Sequence, residues 1–185
     1  FSLGVTKLVT SGQGGFIVTN NKKIYQKLVL GRNNGVDNVI HSNYIFKGLN
    51  LKFSDILASL CLNQLLRVKQ TINKLTKYYN SFEKHLEPFN SLKLVKVDVK
   101  NNEIPLSVQI QTKYRSKIHS ILKKNKIETR KLGPCLSESN LFIKKGNLKN
   151  SKYFSENVLC LPSGPDQDKN LPIKIAKILK ENNIH

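Results

Sequence analysis

Phe1-Ser2-Leu3-Gly4-Val5-Thr6-Lys7-Leu8-Val9-Thr10-Ser11-Gly12-Gln13-Gly14-Gly15 opens the chain, and the reading of this stretch decides the fold. A short apolar run carries a hydroxyl at Ser2 and a single lysine at Lys7, and then gives way to a turn with glycines at 12, 14 and 15. The apolar, β-branched residues 16–19 that follow read as a short buried strand. A lysine amine kept partly out of water is neutral near pH 7 and can attack an aldehyde to form a Schiff base. The chain has 27 lysines, so a lysine between apolar residues says little alone. What singles out Lys7 is the spacing from Ser2 through Lys7 to the glycines. The turn is not a nucleotide-binding Walker loop, because no Gly-Lys-Ser/Thr follows it.

The stretch resembles the cofactor-lysine segment of the DegT/DnrJ/EryC1/StrS aminotransferases. Their pattern, F-S-apolar-x-x-(T/A)-K-x-x-(T/S)-x-G-(E/Q)-G-G, is met at every position. The resemblance implies an α/β chain of the PLP-dependent transferase fold type I, similar to aspartate aminotransferase. It further implies that Lys7 is the catalytic residue and holds pyridoxal 5'-phosphate (PLP), and that Ser2 binds the cofactor phosphate. Related dehydratases carry a histidine at the lysine position, so Lys7 places the chain with the transaminases. Family members are about twice this length, with their lysine near the midpoint. The expected organisation is therefore the end of the large PLP-binding domain over residues 1–70, a bridging helix over 71–90 and a small C-terminal α+β domain over 91–185. On this reading the carboxylate that pairs with the pyridine nitrogen lies in an absent first half, so the isolated chain is expected to be inactive.

Gly48-Leu49-Asn50-Leu51-Lys52-Phe53-Ser54-Asp55 resembles a second family motif, G-(Y/F)-N-(Y/F)-R-(M/F)-(S/T)-D, which leads into a long helix. Ser54 is a natural N-cap, and Asp55 suits the positive end of a helix. The resemblance gives Asn50 a contact with the cofactor phosphate of a neighbouring subunit; read alone, it is an ordinary turn asparagine. Lys52 stands where the family has arginine, and a bidentate fork is lost there. Later, residues 126–131 keep the Ile, Thr and Arg of the family form G-I-x-T-R-P but have lysine for both Gly and Pro. Arg130 is then either a contact to substrate phosphate or carboxylate, or a surface arginine at a strand end. Cys160-Leu161-Pro162-Ser163-Gly164 resembles the family's late strand and turn, with Cys160 packed rather than reactive.

The rest of the chain fills in around these motifs. Asn21 is expected to cap a helix over 22–31 with Ile24, Leu28 and Leu30 on its apolar face, ended near Gly35 in a left-handed turn. Residues 36–49 read as a long loop. A helix over 55–68 precedes a second amphipathic run through Ile72, Leu75, Tyr79, Phe82 and Leu86. Residues 92–97, 104–111 in part and 126–130 read as strands of an antiparallel sheet, with a helix over 112–124 whose Tyr114, Ile118, Ile121 and Leu122 face inward. A polar loop over 134–150, a short helix over 151–157, a strand at 158–161 and a last helix over 171–179 complete the chain.

The net charge of +19 would ordinarily point to nucleic acid. The bias is carried by scattered lysines against only four arginines, in an asparagine-rich chain with no dense basic block, so no nucleic-acid partner is expected. Three cysteines, Cys61, Cys135 and Cys160, lack metal-site spacing, and an odd count argues against a disulfide framework. No metal is expected. Neither is a membrane partner, since no run of eighteen apolar residues occurs. The start does not read as a signal peptide. A cytoplasmic homodimer with shared active sites follows from the resemblance. Its substrates would be a nucleotide-linked keto-sugar and an amino-acid donor, glutamate in the family, within sugar-nucleotide and cell-surface polysaccharide biosynthesis. Two other readings remain: an inactive remnant or dimerisation module, and a basic nucleic-acid-binding domain.

Overall fold

The structure is a computed structural model that describes residues 1–38, 40, 43–141 and 148–185. The chain divides into two units, Phe1–Lys69 and Gln70–His185. Of the loop expected over 36–49, residues 39, 41 and 42 lie outside the described residues, as do residues 142–147 of the polar loop over 134–150.

In the first unit, helix α1 spans Lys22–Arg32. Asn21 caps it as expected, its side-chain oxygen accepting from the Lys23 and Ile24 amides. The helix stops where Gly35 N–H bonds Leu30 O, with Gly35 at φ +80°. None of its residues is buried; of the expected apolar face Ile24 is exposed, and Leu28 and Leu30 are partly covered. Residues 16–19 likewise correct the sequence reading: Phe16, Ile17 and Val18 are exposed and no strand forms. A buried strand needs ladder partners for its amides and carbonyls. Here Phe16 pairs only with Phe1, and no neighbouring strand lies beside 17–19 among the described residues.

Helix α2 runs unbroken from Asp55 to Leu86, 32 residues, where the sequence read two helices. Residues 55–86 contain neither proline nor glycine, so nothing interrupts the i to i−4 ladder. The boundary between the two units falls inside this helix. The Ser54 hydroxyl reaches the Leu57 amide at 3.4 Å, and Asp55 occupies the first turn. In the first half of α2, Ile56, Leu60, Leu65 and Leu66 are exposed; in the second half Leu75, Tyr78, Tyr79, Phe82 and Leu86 are buried.

The second unit is an antiparallel four-stranded sheet with helices. Strand β1 spans Lys93–Leu94, β2 Val108–Gln111, β3 Arg130–Lys131 and β4 Val158–Leu161, in the order β1-β2-β4-β3. Helix α3 spans Arg115–Lys124, α4 Lys149–Asn157 and α5 Leu171–Glu181. Phe82 from α2, Ile118 and Leu122 from α3, Ile175 and Leu179 from α5, and Val108, Ile110 and Leu159 from the sheet share one core. All four residues of β4 are buried, Cys160 among them. Tyr114, expected inward, is half exposed because α3 starts only after it. The Thr112 hydroxyl instead takes the turn, accepting from Tyr114 N and donating to Ser91 O.

Three strands are shorter than the sequence patterns imply, each for a visible reason. Beyond β1, Val95 N still bonds Gln109 O, but Val97 N turns to the Tyr79 hydroxyl at 3.0 Å. Before β2, Pro105 offers no amide, and Leu106 N bonds Ile104 O in a tight turn. Before β3, Lys126 N and Ile127 N terminate α3 on Lys123 O and Leu122 O. Lys126 sits at φ +59°, the left-handed region where the family form G-I-x-T-R-P has its glycine.

The Tyr78 ring packs edge-on against Phe82, 5.2 Å between centroids. Its hydroxyl is buried with no hydrogen-bond partner among the described residues. Burial pushes this phenol up to about 12, with the charge of Asp168 adding to the effect. The folded state therefore holds the proton more tightly than the unfolded state, whose tyrosine titrates near 10. The stability this group contributes is complete below pH 10 and is lost as pH rises through 12. Tyr78→Phe should be neutral or stabilising by about 1 kcal/mol at pH 7, because an unsatisfied buried hydroxyl is removed. It should also lessen the fall in stability above pH 10. Urea denaturation midpoints of the two proteins from pH 7 to 11.5 check both effects.

Candidate active site

The first sixteen residues fold back on themselves. Phe1 N donates to Phe16 O at 2.7 Å and Phe16 N to Phe1 O at 3.0 Å, with the two rings stacked 4.7 Å apart. Ser2 pairs antiparallel with Gly15, and Gly4 lies in a parallel bridge to Gly12. Leu3 is the pivot. Its N–H bonds Gly14 O, its carbonyl accepts from Ser11 N and from the Thr10 hydroxyl, and its side chain is buried. The intervening residues bulge outward, and Lys7 N donates to Gly4 O to close a β-turn on Val5 and Thr6. Lys7 is thus presented at the end of a tight turn whose base is stitched shut.

Ser2 and Lys7 meet at Gly4. Gly4 N–H donates to Ser2 Oγ at 3.3 Å, and Gly4 O accepts from Lys7 N at 3.0 Å. Because Ser2 Oγ accepts there, its own proton remains to be donated to an anion. The Lys7 amine is exposed and has no ion-pair or hydrogen-bond partner among the described residues. The sequence reading had it held off solvent; within this unit nothing covers it. An unengaged amine and an available hydroxyl, carried on one turn whose backbone joins them through Gly4, fit a cofactor that offers an aldehyde and a phosphate. Lys7 would hold the one and Ser2 the other.

Two glycines make the turn possible. A Cβ on Gly15 would lie 2.5 Å from Phe1 O, a backbone atom that cannot move without opening the ladder. Gly14 sits at φ +101°, and a Cβ there would lie 2.5 Å from the Phe53 ring. The second motif therefore touches the first, through Phe53.

Asn50 stands elsewhere in the same unit. It forms a backbone bridge with Asn33, flanked by Leu49 N bonding Gly31 O and Leu51 N bonding Arg32 O, and its side chain is exposed. No hydrogen bond joins Asn50 to Lys7 among the described residues. Arg130 lies in the second unit, exposed on β3 opposite Cys160.

Sequence reasoning missed Thr10 and Ser11 as the residues that hold the turn. Thr10 Oγ1 donates to Leu3 O and accepts from Gly12 N, and Ser11 Oγ donates to Gln13 O at 2.7 Å. A Thr-Ser pair immediately before a glycine turn is itself a signal for such local bonds. The role of Phe53 carried no such signal. No group of three or more potential metal ligands occurs among the described residues.

The family model of the DegT/DnrJ/EryC1/StrS aminotransferases matches residues 1–180. The chain belongs to this family. It is a family of PLP-dependent aminotransferases. A relative from Campylobacter jejuni (serotype O:23/36, strain 81-176), a UDP-4-amino-4,6-dideoxy-N-acetyl-beta-L-altrosamine transaminase, is 28% identical over 99 residues, 52% of this chain and 26% of that protein. Among solved structures, the aminotransferase TlmJ from Streptoalloteichus hindustanus superposes with a TM-score of 0.90 at 14% identity, over 97% of this chain and 50% of that one. A GDP-4-keto-6-deoxy-D-mannose-3-dehydratase from E. coli with bound hydrated PLP superposes at 0.84 and 17% identity, over 97% of this chain and 53% of that one. The fold is thus the type I fold of the PLP-dependent sugar aminotransferases. The chain spans about half the length of these solved structures, and its 99-residue match covers 26% of the Campylobacter enzyme.

Gly15→Ala should loosen this family's lysine turn. The added methyl must push Phe1 O away, so the Leu3 and Phe16 amides should exchange with solvent faster by about tenfold, equivalent to ~1.4 kcal/mol of local stability. Amides of α5 should be unaffected. Hydrogen exchange resolved by residue checks it.

Proposed function

We propose that the protein carrying this chain transfers an amino group from an amino acid to a nucleotide-linked keto-sugar, with Lys7 as the catalytic residue. The observation that carries the reading is the Lys7 turn, with its amine unengaged and Ser2 Oγ joined to it through Gly4. Family membership over residues 1–180, and a relative named as a nucleotide-sugar transaminase, supply the substrate class.

Each residue's part follows from its chemistry. Lys7 Nζ would hold the cofactor and would move the proton at the amine-bearing carbon as general acid and base. Ser2 Oγ would donate to the cofactor phosphate and help to orient it. PLP, when bound, supplies the electron sink that makes that carbon acidic. Asn50 would contact the cofactor phosphate of a neighbouring subunit, which requires a homodimer. Arg130 is a candidate contact for substrate phosphate or carboxylate. Glutamate is the proposed donor, the cytoplasm the proposed compartment, and cell-surface polysaccharide synthesis the proposed setting. No helix among the described residues is long and apolar enough to cross a membrane.

The exposed apolar surface of the first unit supports the view that this chain works with further polypeptide. Phe16, Ile17, Val18, Ile24 and Ile56 all face solvent within the unit. Solved relatives with the same backbone are about twice as long. A second half would cover such surface and desolvate Lys7.

Two outcomes are expected for the intact protein, meaning this chain together with whatever completes its fold. Borohydride reduction after addition of PLP should fix the cofactor on the peptide containing Lys7. Lys7→Ala should abolish both the labelling and amino transfer with an unchanged circular dichroism spectrum. Labelling spread over other lysines, with Lys7 no more than its neighbours, would end the assignment. Asn50→Ala should weaken cofactor retention on gel filtration without lowering the melting temperature. Full retention would remove the shared-site role.

A further inference from the structure

We propose that Phe53 is a positioning residue for Lys7. It acts as a clamp that presses the glycine turn closed from the start of helix α2. The inference rests on the reading of Lys7 as the cofactor lysine and extends it to a residue with no part in the chemistry.

The geometry is a short relay. The Phe53 ring occupies the space over Gly14 so closely that a Cβ there would meet Cε2 at 2.5 Å and Cδ2 at 3.0 Å. Gly14 O is the acceptor for Leu3 N. Leu3 O in turn takes the Ser11 amide and the Thr10 hydroxyl, which closes the base of the turn bearing Lys7. Displacing Gly14 therefore loosens Leu3, and loosening Leu3 frees the segment between Gly4 and Thr10. Phe53 is itself anchored, because Ser54 and Asp55, which follow it, form the cap and first turn of a 32-residue helix. Glycine at 14 is required twice, by its φ of +101° and by the ring.

Catalytic amines must be held within about half an ångström of productive geometry, so a loosened turn costs cofactor capture before it costs the fold. The test uses the intact protein with Phe53→Ala, Phe53→Leu, Phe53→Tyr, Gly14→Ala and the double variant Gly14→Ala/Phe53→Ala. Two quantities are read: hydrogen exchange at the Leu3 and Lys7 amides without cofactor, and the yield of PLP fixed on the Lys7 peptide by borohydride. Phe53→Ala and Phe53→Leu should each speed exchange at both amides and lower the yield by about tenfold, while Phe53→Tyr, which keeps the ring, should restore both. Phe53→Ala should do less harm in the Gly14→Ala background than alone, because the ring and the methyl then no longer compete for one space.

Wild-type exchange and yield in Phe53→Leu would overturn the clamp, as would strictly additive effects in the double variant. Should Phe53→Ala fail to fold, Phe53→Leu and Phe53→Tyr decide by the same readings. Faster exchange in Phe53→Leu, with no Lys7 labelling even in the unsubstituted protein, would overturn the functional reading and leave the clamp standing.

Discussion

Leu3 is bonded through both its N–H and its carbonyl by residues that lie seven to eleven positions further on. Its N–H is held by Gly14 O, and its carbonyl by the Ser11 amide and the Thr10 hydroxyl. Those bonds close a loop of a few residues, which is short enough for the turn at Gly4 to Lys7 to have little freedom left. Everything proposed for the chemistry depends on that closure. The backbone of Gly15 must lie against Phe1 O, and that of Gly14 under the Phe53 ring, for the bonds to form at all. Gly14 and Gly15 of the family pattern are therefore a packing requirement, met by removing side chains where two backbones, or a backbone and a ring, must touch.

The second unit is built on a different logic. Its core is supplied by two-sided burial of β4 and by the apolar faces of the second half of α2, of α3 and of α5. Side-chain hydroxyls decide where its strands end. The Tyr79 hydroxyl takes Val97 N out of the ladder, and Thr112 Oγ1 ties the end of β2 to Ser91. Lys126 adopts a left-handed conformation so that Ile127 N can reach Leu122 O and return the chain towards β3. These are satisfied polar groups at the rim of an apolar core, the arrangement that lets short strands remain stable.

The same backbone serves an aminotransferase and a dehydratase among the solved relatives, so the fold alone does not choose the reaction. Under the proposed function, the side chain at position 7 would make that choice. An amine that can be neutral is both a nucleophile towards an aldehyde and a proton carrier.

The sequence by itself determined the family, the capped helix α1 and the strand β4, because each is written in local spacing or in an unbroken apolar run. It also marked the left-handed turn at Gly35 and the packed state of Cys160. It misjudged residues 16–19, which are apolar enough for a buried strand but have no ladder partner beside them, since a strand's burial depends on neighbours remote in sequence. It split α2 in two, because the apolar stripe lapses near Lys69 although the backbone has no reason to break. Only the tertiary structure decided that Phe53 rests on Gly14 and that Leu3 is the pivot of the Lys7 turn. A ring and a glycine 39 positions apart leave no joint pattern in the chain, and their contact exists only once the backbone has brought them within reach.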